Sequence, residues 1–247
     1  MSDYPGKTVG IVIPAFNEAK NLFHVMDVVC RVRKLKQIVV VDDGSTDSTI
    51  NIANHYVEPD PRVIVLTLPK NQGKASALLA GVQCLQTDFV LFLDADLLGL
   101  RPYHLLQLSW PLEADLCEMS IALFRHGRIL TTAAHRLTPN LSGQRGLRRD
   151  EAERALIPLA KTRYGVEIGL TAYARERGWH VKRIYWEGVT HITKEQKNKR
   201  FIGIHNRWQM YQQIISVFAT KKNRWRILPP FRSKHVRSKS RRINLTR

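Results

Sequence analysis

Four short apolar runs, each closed by a polar cluster, set the pattern of the first hundred residues: "VGIVIPAF", "QIVVVDD", "RVIVLTL" and "FVLFLD". The stretches between them, Glu18 to Leu35, Thr46 to His55 and Gly73 to Leu85, have amphipathic, helix-like spacing. A strand that is apolar at nearly every position must be covered on both faces. Helices between successive strands give that cover when the sheet is parallel. The pattern predicts an α/β fold with a doubly wound, mostly parallel sheet. With 247 residues and 44% hydrophobic content, the chain can bury the core of one large domain carrying an appended segment.

In such a sheet ligands bind beyond the carboxyl ends of the strands. The polar clusters lie there: Asn17 and Glu18 after the first run, Asp42 and Asp43 after the second, Asn71 to Lys74 after the third, Asp94 and Asp96 after the fourth. All four should face one cleft. Two carboxylates at the end of a buried strand repel each other unless a cation or donors offset them, and a hard divalent ion prefers oxygen ligands. Asp94 and Asp96 are therefore a candidate metal pair, against the plainer reading of Asp94 as a turn cap and Asp96 as a solvated loop residue. In "DDGSTD", Ser45, Thr46 or Asp47 can cap the next helix, while Asp43 could accept a hydrogen bond from a base N–H. "NQGKASALLAG" puts Gly73 and Lys74 at a helix start, where free N–H groups favour anions and Lys74 could face a diphosphate or simply lie at the surface. It is not a P-loop, because no glycine lies five residues before Gly73 and Ala75 replaces the hydroxyl residue.

Beyond Leu98, "ADLCEMSIALF" reads as a further strand, Asp150 with Glu153 as an acidic capping box opening a helix, "VEIGLTAYARERG" as a helix ending at Gly178, and "WHVKRIYW" as a strand. Phe201, Ile204, Trp208, Tyr211, Ile215 and Phe218 step by three and four along a C-terminal amphipathic helix. The net charge of +18 is concentrated behind them: residues 194–247 hold sixteen Lys and Arg against the single acid Glu195. Such a basic tail can hold nucleic acid or an anionic membrane surface, or serve only solubility. No apolar run reaches the roughly 18 to 20 residues of a membrane span. Cys30, Cys84 and Cys117 have no metal spacing and read as core residues of a cytoplasmic protein.

Taken in order, "VGIVIPAFNE", "IVVVDDGSTDST", "NQGKASALLAG" and "FVLFLDAD" resemble the motifs of family 2 glycosyltransferases with the GT-A fold, over roughly residues 8–100. The resemblance implies a nucleotide-sugar site formed by Pro14, Ala15, Phe16, Glu18, Asp43, Lys74, Asp94, Ala95 and Asp96, with Asp96 ligating Mg²⁺ or Mn²⁺ beside Asp94. "NLSGQRGLRR", "YGVEIGL" and "VTH" are similar to segments of glucosyl-3-phosphoglycerate synthases and, more loosely, of polyprenyl-phosphate sugar synthases. That similarity implies His191 as a second metal ligand and Glu167 facing the sugar or acceptor, with Lys74 and Asp94 sharing the catalytic work. It also implies an acceptor site at Arg128, Ser142, Gly143, Arg145 and Tyr164, with Arg148 and Arg149 close to Arg145 as a second basic cluster or a plain surface one. The chain departs from the phosphoglycerate pattern at Val189, where those enzymes carry an arginine.

The expected layout is a GT-A catalytic domain over residues 1–193, divided into a donor half (8–100) and an acceptor half (101–193), followed by the amphipathic helix and basic tail of 194–247. The expected function is transfer of a hexose, glucose from UDP-glucose, onto an anionic acceptor. Peripheral membrane contact through residues 201–247 and a homodimer are compatible partners. A polyprenyl-phosphate acceptor is the alternative within this class. Glu167 would orient the acceptor hydroxyl, or take its proton if the reaction inverts configuration. A reading of another class, nucleic-acid binding by the tail with Trp208, Trp225 and Phe231 stacking on bases, leaves the carboxylates at the strand ends without a use. Nucleotidyl transfer would need a glycine-rich first loop where the chain has "PAFNE".

Overall fold

The computed structural model describes residues 6–125, 142–160 and 165–191. The four apolar runs form β1 (Val9–Ala15), β2 (Leu35–Asp42), β3 (Val63–Thr67) and β4 (Phe89–Phe92). Between them lie α1 (Leu22–Cys30), α2 (Thr49–Asn54) and α3 (Lys74–Cys84). The chain continues through β5 (Leu97–Leu98), α4 (Pro102–Glu113), β6 (Met119–Arg125), β7 (Arg145–Arg148), α5 (Arg149–Leu159), α6 (Val166–Glu176), β8 (Val181–Glu187) and β9 (Thr190–His191).

Seven strands form one sheet in the order β3-β2-β1-β4-β7-β6-β8. All pairs are parallel except those of β7, which runs antiparallel between β4 and β6. The sheet is thus continuous from the first half of the chain into the second. Side-chain alternation splits the core in two. Ile11, Ile13, Ile38, Val40 and Leu91 face α1 and α4, whose Leu22, Val25, Met26, Leu105, Leu108 and Leu112 cover them. Val12, Val39, Val41, Val90 and Phe92 face α3 and α5 on the other side, against Ala77, Leu78, Val82, Ala152 and Leu156. Each large aliphatic side chain so buried contributes about 1.5–3 kcal/mol, which makes this double layer the main source of stability. A Cβ on Gly81 would come within 2.4 Å of a Val12 methyl, so the missing side chain lets α3 lie directly on β1.

The helix expected over residues 18–35 is shorter at both ends. Asn21 and Leu22 N–H both donate to the Glu18 carbonyl in a preceding turn. At the other end the Arg62 guanidinium donates to the carbonyls of Cys30, Val32 and Leu35 at 2.6, 2.8 and 3.2 Å, which ends the helix and frees Leu35 to open β2. The second helix starts at Thr49 rather than Thr46, and the Thr46 N–H donates instead to Asn17 Oδ1 at 2.8 Å. The expected capping box at Asp150 and Glu153 does not form. Arg148 holds the N-cap position without a side-chain cap, Asp150 lies in the first turn, and Glu153 accepts from Arg149 at 3.0 Å.

Four elements had no counterpart in the sequence reading: α4, which opens with Pro102 in its first turn and His104 Nδ1 accepting from Arg101 N–H, and the short strands β5, β7 and β9. The three cysteines are free, and burial pushes the Cys117 thiol up to about 11. Among the described residues no helix is long and apolar enough to cross a membrane. The amphipathic stripe from Phe201 to Phe218, the basic tail, Arg128 and Tyr164 lie outside the described residues.

Candidate active site

The carboxyl ends of β1, β2 and β4 meet at one edge of the sheet, as a doubly wound topology requires. The two loops after β1 and β2 are joined side by side. Asn17, in the left-handed region at φ 55°, donates its N–H to Ser45 Oγ at 2.9 Å, and Glu18 N–H donates to Thr49 Oγ1 at 2.8 Å. Asp43 is buried, and its two oxygens accept from Gln72 N–H and Gly73 N–H at 2.7 and 2.8 Å. That carboxylate fixes the approach to α3 and sets Lys74 at the first position of the helix. Carbonyl and carboxylate oxygens have two lone pairs, so Asp43 keeps acceptor capacity beyond these bonds.

The resulting cleft has a volume of about 260 Å³ and is lined by Pro14, Phe16, Glu18, Lys74, Asp94, Ala95, Asp96 and His191. All eight are among the residues expected from the sequence. Ala15 instead faces inward at 2% exposure, with its carbonyl accepting from Asp43 N–H. His191 arrives through topology: β5 and β9 pair antiparallel with Leu97 opposite His191, which sets the imidazole beside Asp96. Its Nδ1 lies 3.0 Å from Asp96 Oδ1, and its ring lies 5.1 Å from that of Phe124. Val189, in the bend leading to β9, is 1% exposed and belongs to the core.

Lys74 Nζ bridges Asp94 Oδ1 at 2.6 Å and Glu167 Oε1, on α6, at 2.7 Å. Burial works against the ammonium, but the charges of Asp94 and Glu167 outweigh it and hold Lys74 above its usual range. Burial alone would raise Asp94, yet Lys74 and then His191 carry it below the usual carboxylate range. For His191, burial favours the neutral ring, and the hydrogen bond that its Nδ1 donates to Asp96, with the charge of Asp94, reverses the balance and raises it.

One atom from each of Asp94, Asp96 and His191 can be chosen so that all lie within 4.8 Å of one another. Two carboxylates and an imidazole are a donor set that Mn²⁺ and Mg²⁺ accept, so the residues present fit a divalent cation.

Of the residues expected at the acceptor, Ser142 and Gly143 lie over the Lys74–Asp94 pair, and a Cβ on Gly143 would fall 2.6 Å from Asp94 Oδ2. Arg145 is fully buried behind them, with Nε donating to the Ser142 carbonyl at 2.9 Å and Nη1 to Thr171 Oγ1 at 3.0 Å. Arg148 and Arg149 do not join it. Arg148 pairs in register with Phe89, at the opposite end of β4 from Asp94, and Arg149 N–H donates to the Asp88 carbonyl. The residue that sequence reasoning passed over is Gln144, whose Nε2 donates to Asp94 Oδ2 at 2.7 Å. It stands inside the quoted segment "NLSGQRGLRR", and its polar side chain between two glycines was the available signal.

This cleft, open at the strand ends and built from a cation, paired carboxylates and an imidazole, is the arrangement of a nucleotide-sugar transferase. The sequence profile described as glycosyl transferase family 2 matches residues 10–139, more than half of the chain, and the chain belongs to that family.

Over 102 residues it is 39% identical to undecaprenyl-phosphate 4-deoxy-4-formamido-L-arabinose transferase of Pseudomonas fluorescens, covering 39% of this chain and 30% of that protein. The same-named protein of Yersinia pestis is 37% identical over 98 residues, again across 30% of its length. These matches therefore span less than a third of the relatives. Among solved structures, glucosyl-3-phosphoglycerate synthase from Mycobacterium tuberculosis with Mn²⁺, UDP and glucosyl-3-phosphoglycerate is similar at a TM-score of 0.64 and 22% identity, over 85% of this chain and 80% of that one. Its complex with Mn²⁺, UDP and phosphoglyceric acid gives 0.65 over 87% and 78%. At that identity the likeness is one of fold.

Proposed function

We propose that this chain is a metal-dependent hexosyltransferase that moves glucose from UDP-glucose onto a phosphate-bearing acceptor. The observation that carries the reading is the meeting of Asp94, Asp96 and His191 in one cleft with Lys74, although His191 lies 95 residues from Asp96 in the chain. Asp96 and His191, with Asp94 beside them, would hold Mg²⁺ or Mn²⁺, which when bound neutralises charge on a departing diphosphate. Phe16 and Pro14 offer an apolar wall to the nucleoside, and Lys74 supplies a fixed ammonium toward the diphosphate. Glu167, held by that ammonium at 2.7 Å, would orient an acceptor hydroxyl. The acceptor is read from chemistry that the similar proteins share: phosphoglyceric acid in the solved complexes and a polyprenyl phosphate in the curated relatives both carry a phosphate.

Titration calorimetry of UDP, and then GDP, with and without Mn²⁺ tests the donor site on the full chain. UDP should bind only with the metal, and Asp96→Ala should abolish binding. Nucleotide binding that ignores the metal, or none at all, would sink the reading. Phosphoglycerate and a short-chain polyprenyl phosphate, offered with radiolabelled UDP-glucose, then separate the two acceptors.

A further inference from the structure

Residues 142–144 lead into β7 and lie against the Lys74–Asp94 pair. Gln144 is fully buried there, with Nε2 donating to Asp94 Oδ2 at 2.7 Å and Oε1 accepting from Ser142 Oγ at 2.8 Å. The carboxylate settles which way this amide points, since the reversed orientation would set Oε1 against Asp94. Asp94 is then held at both oxygens, by the Lys74 ammonium on Oδ1 and the Gln144 amide on Oδ2, and cannot rotate without breaking a charged hydrogen bond. The same loop is anchored to α6. Arg145 spans from the Ser142 carbonyl to Thr171 Oγ1, and Thr171 Oγ1 donates to the Glu167 carbonyl at 2.7 Å. One short segment thus fixes both partners of Lys74.

We propose that Gln144 is a positioning residue of the donor site. Its amide, backed by Ser142, sets the rotation of the Asp94 carboxylate so that Lys74 and the Asp96–His191 pair keep the spacing that admits a divalent cation and a diphosphate together. Gln144 itself touches neither. A neutral donor suits the task, because a lysine at this position would compete with Lys74 for Asp94, and a glutamate would add a repelling charge. This inference rests on the donor-site reading given above.

The test is a double-mutant cycle read by calorimetry of UDP binding in Mn²⁺, with thermal melting to establish that each full-length variant is folded. Gln144→Met keeps length and volume but removes the N–H donor, and should weaken Mn²⁺-dependent UDP binding by about tenfold. Ser142→Ala should weaken it in the same sense by about threefold. In an Asp94→Asn background, Gln144→Met should add less than about a twofold loss, because the group it positions has changed. A merely structural glutamine would cost the same factor in both backgrounds, and that result overturns the proposal. So does wild-type affinity in Gln144→Met. If the methionine variant does not fold, Gln144→Asn, which keeps the amide but cannot reach Asp94, replaces it under the same criteria. Wild-type protein that binds no UDP in Mn²⁺ overturns the donor-site reading and this inference with it; wild-type binding with an unaffected Gln144→Met overturns this inference alone.

Discussion

Replacing Lys74 with methionine removes one charge and almost no volume, so its cost measures the electrostatics of the site. In the native protein the ammonium neutralises Asp94 at 2.6 Å and Glu167 at 2.7 Å, and the three side chains are 32%, 18% and 23% exposed. Removing one partner of a buried ion pair costs about 3–5 kcal/mol, because the remaining charge is left without compensation. Partial exposure screens these groups, which brings the expectation to about 2–3 kcal/mol. For a domain of this size, 1 kcal/mol shifts the melting temperature by about 2–4 °C, so metal-free Lys74→Met should melt roughly 5–10 °C below wild type. Mn²⁺ bound at Asp94, Asp96 and His191 would supply part of the missing positive charge, and saturating metal should close about half of the gap. Differential scanning calorimetry with chelator and then with Mn²⁺ reads both numbers. A variant that melts within about 1 °C of wild type in chelator would refute the claim that Lys74 compensates two partly buried carboxylates. An unchanged gap in Mn²⁺ would refute the claim that the metal shares their charge.

The remaining predictions concern stability and site geometry. Arg62→Ala should destabilise the protein by about 2–4 kcal/mol in urea titration, since Cys30, Val32 and Leu35 lose a common donor and Asp60 loses its partner at 2.6 Å. Hydrogen bonds from Arg62 are the main cause that holds Asp60 below the usual carboxylate range. Its contribution is therefore present above the unfolded value of about 3.9 and is lost as pH falls through the lower folded value, so the acid limb of wild-type stability should be steeper than that of Arg62→Ala. Gly143→Ala places a Cβ 2.6 Å from Asp94 Oδ2 and 2.7 Å from Lys74 Nζ, so the ion pair should be displaced. Mn²⁺-dependent UDP affinity should fall by about tenfold or more, with the melting temperature within about 3 °C of wild type. A melting loss without an affinity loss would show that the loop can retreat from the pair.

The strands were legible because Ile11 to Ile13, Ile38 to Val41 and Phe89 to Phe92 are buried on both faces, and burial on both faces leaves a continuous apolar run. The cleft was legible for a related reason: polar residues directly after such runs have only the sheet edge to occupy. The helix α4 was legible in principle, through Pro102 and the spacing of Leu105, Leu108 and Leu112, but Trp110, Pro111 and exposed Leu106 blur its stripe. Strand β7 was not, because half of its four residues are arginines and one of these, Arg145, is buried by side-chain partners that no local pattern reveals. Gln144 shares that fate. Its meaning depends on β7 returning antiparallel to β4, which delivers the residue before Arg145 to the end of β4, next to Asp94. His191 came from family resemblance, since nothing in its neighbourhood says that β9 will pair with β5.

The charge of the cleft explains why a metal and a nucleotide should enter together. Glu18, Asp94 and Asp96 line it, and Glu167 stands against Lys74 at its wall. Lys74 and the buried Arg145, whose charge acts on Glu167, offset two of these four carboxylates. Even with His191 protonated, the balance left facing the cleft is anionic. A diphosphate brought into such a field meets like charges, and at a separation of 4 Å each uncompensated pair costs about 4 kcal/mol at an effective dielectric of about 20. A divalent cation removes that barrier at the positions where the carboxylates already converge. Metal dependence of donor binding, as the proposed function has it, is thus what the residues that surround Lys74 would require. The same balance accounts for a neutral amide at Gln144, a donor to Asp94 that can fix its orientation without changing the charge a metal would meet.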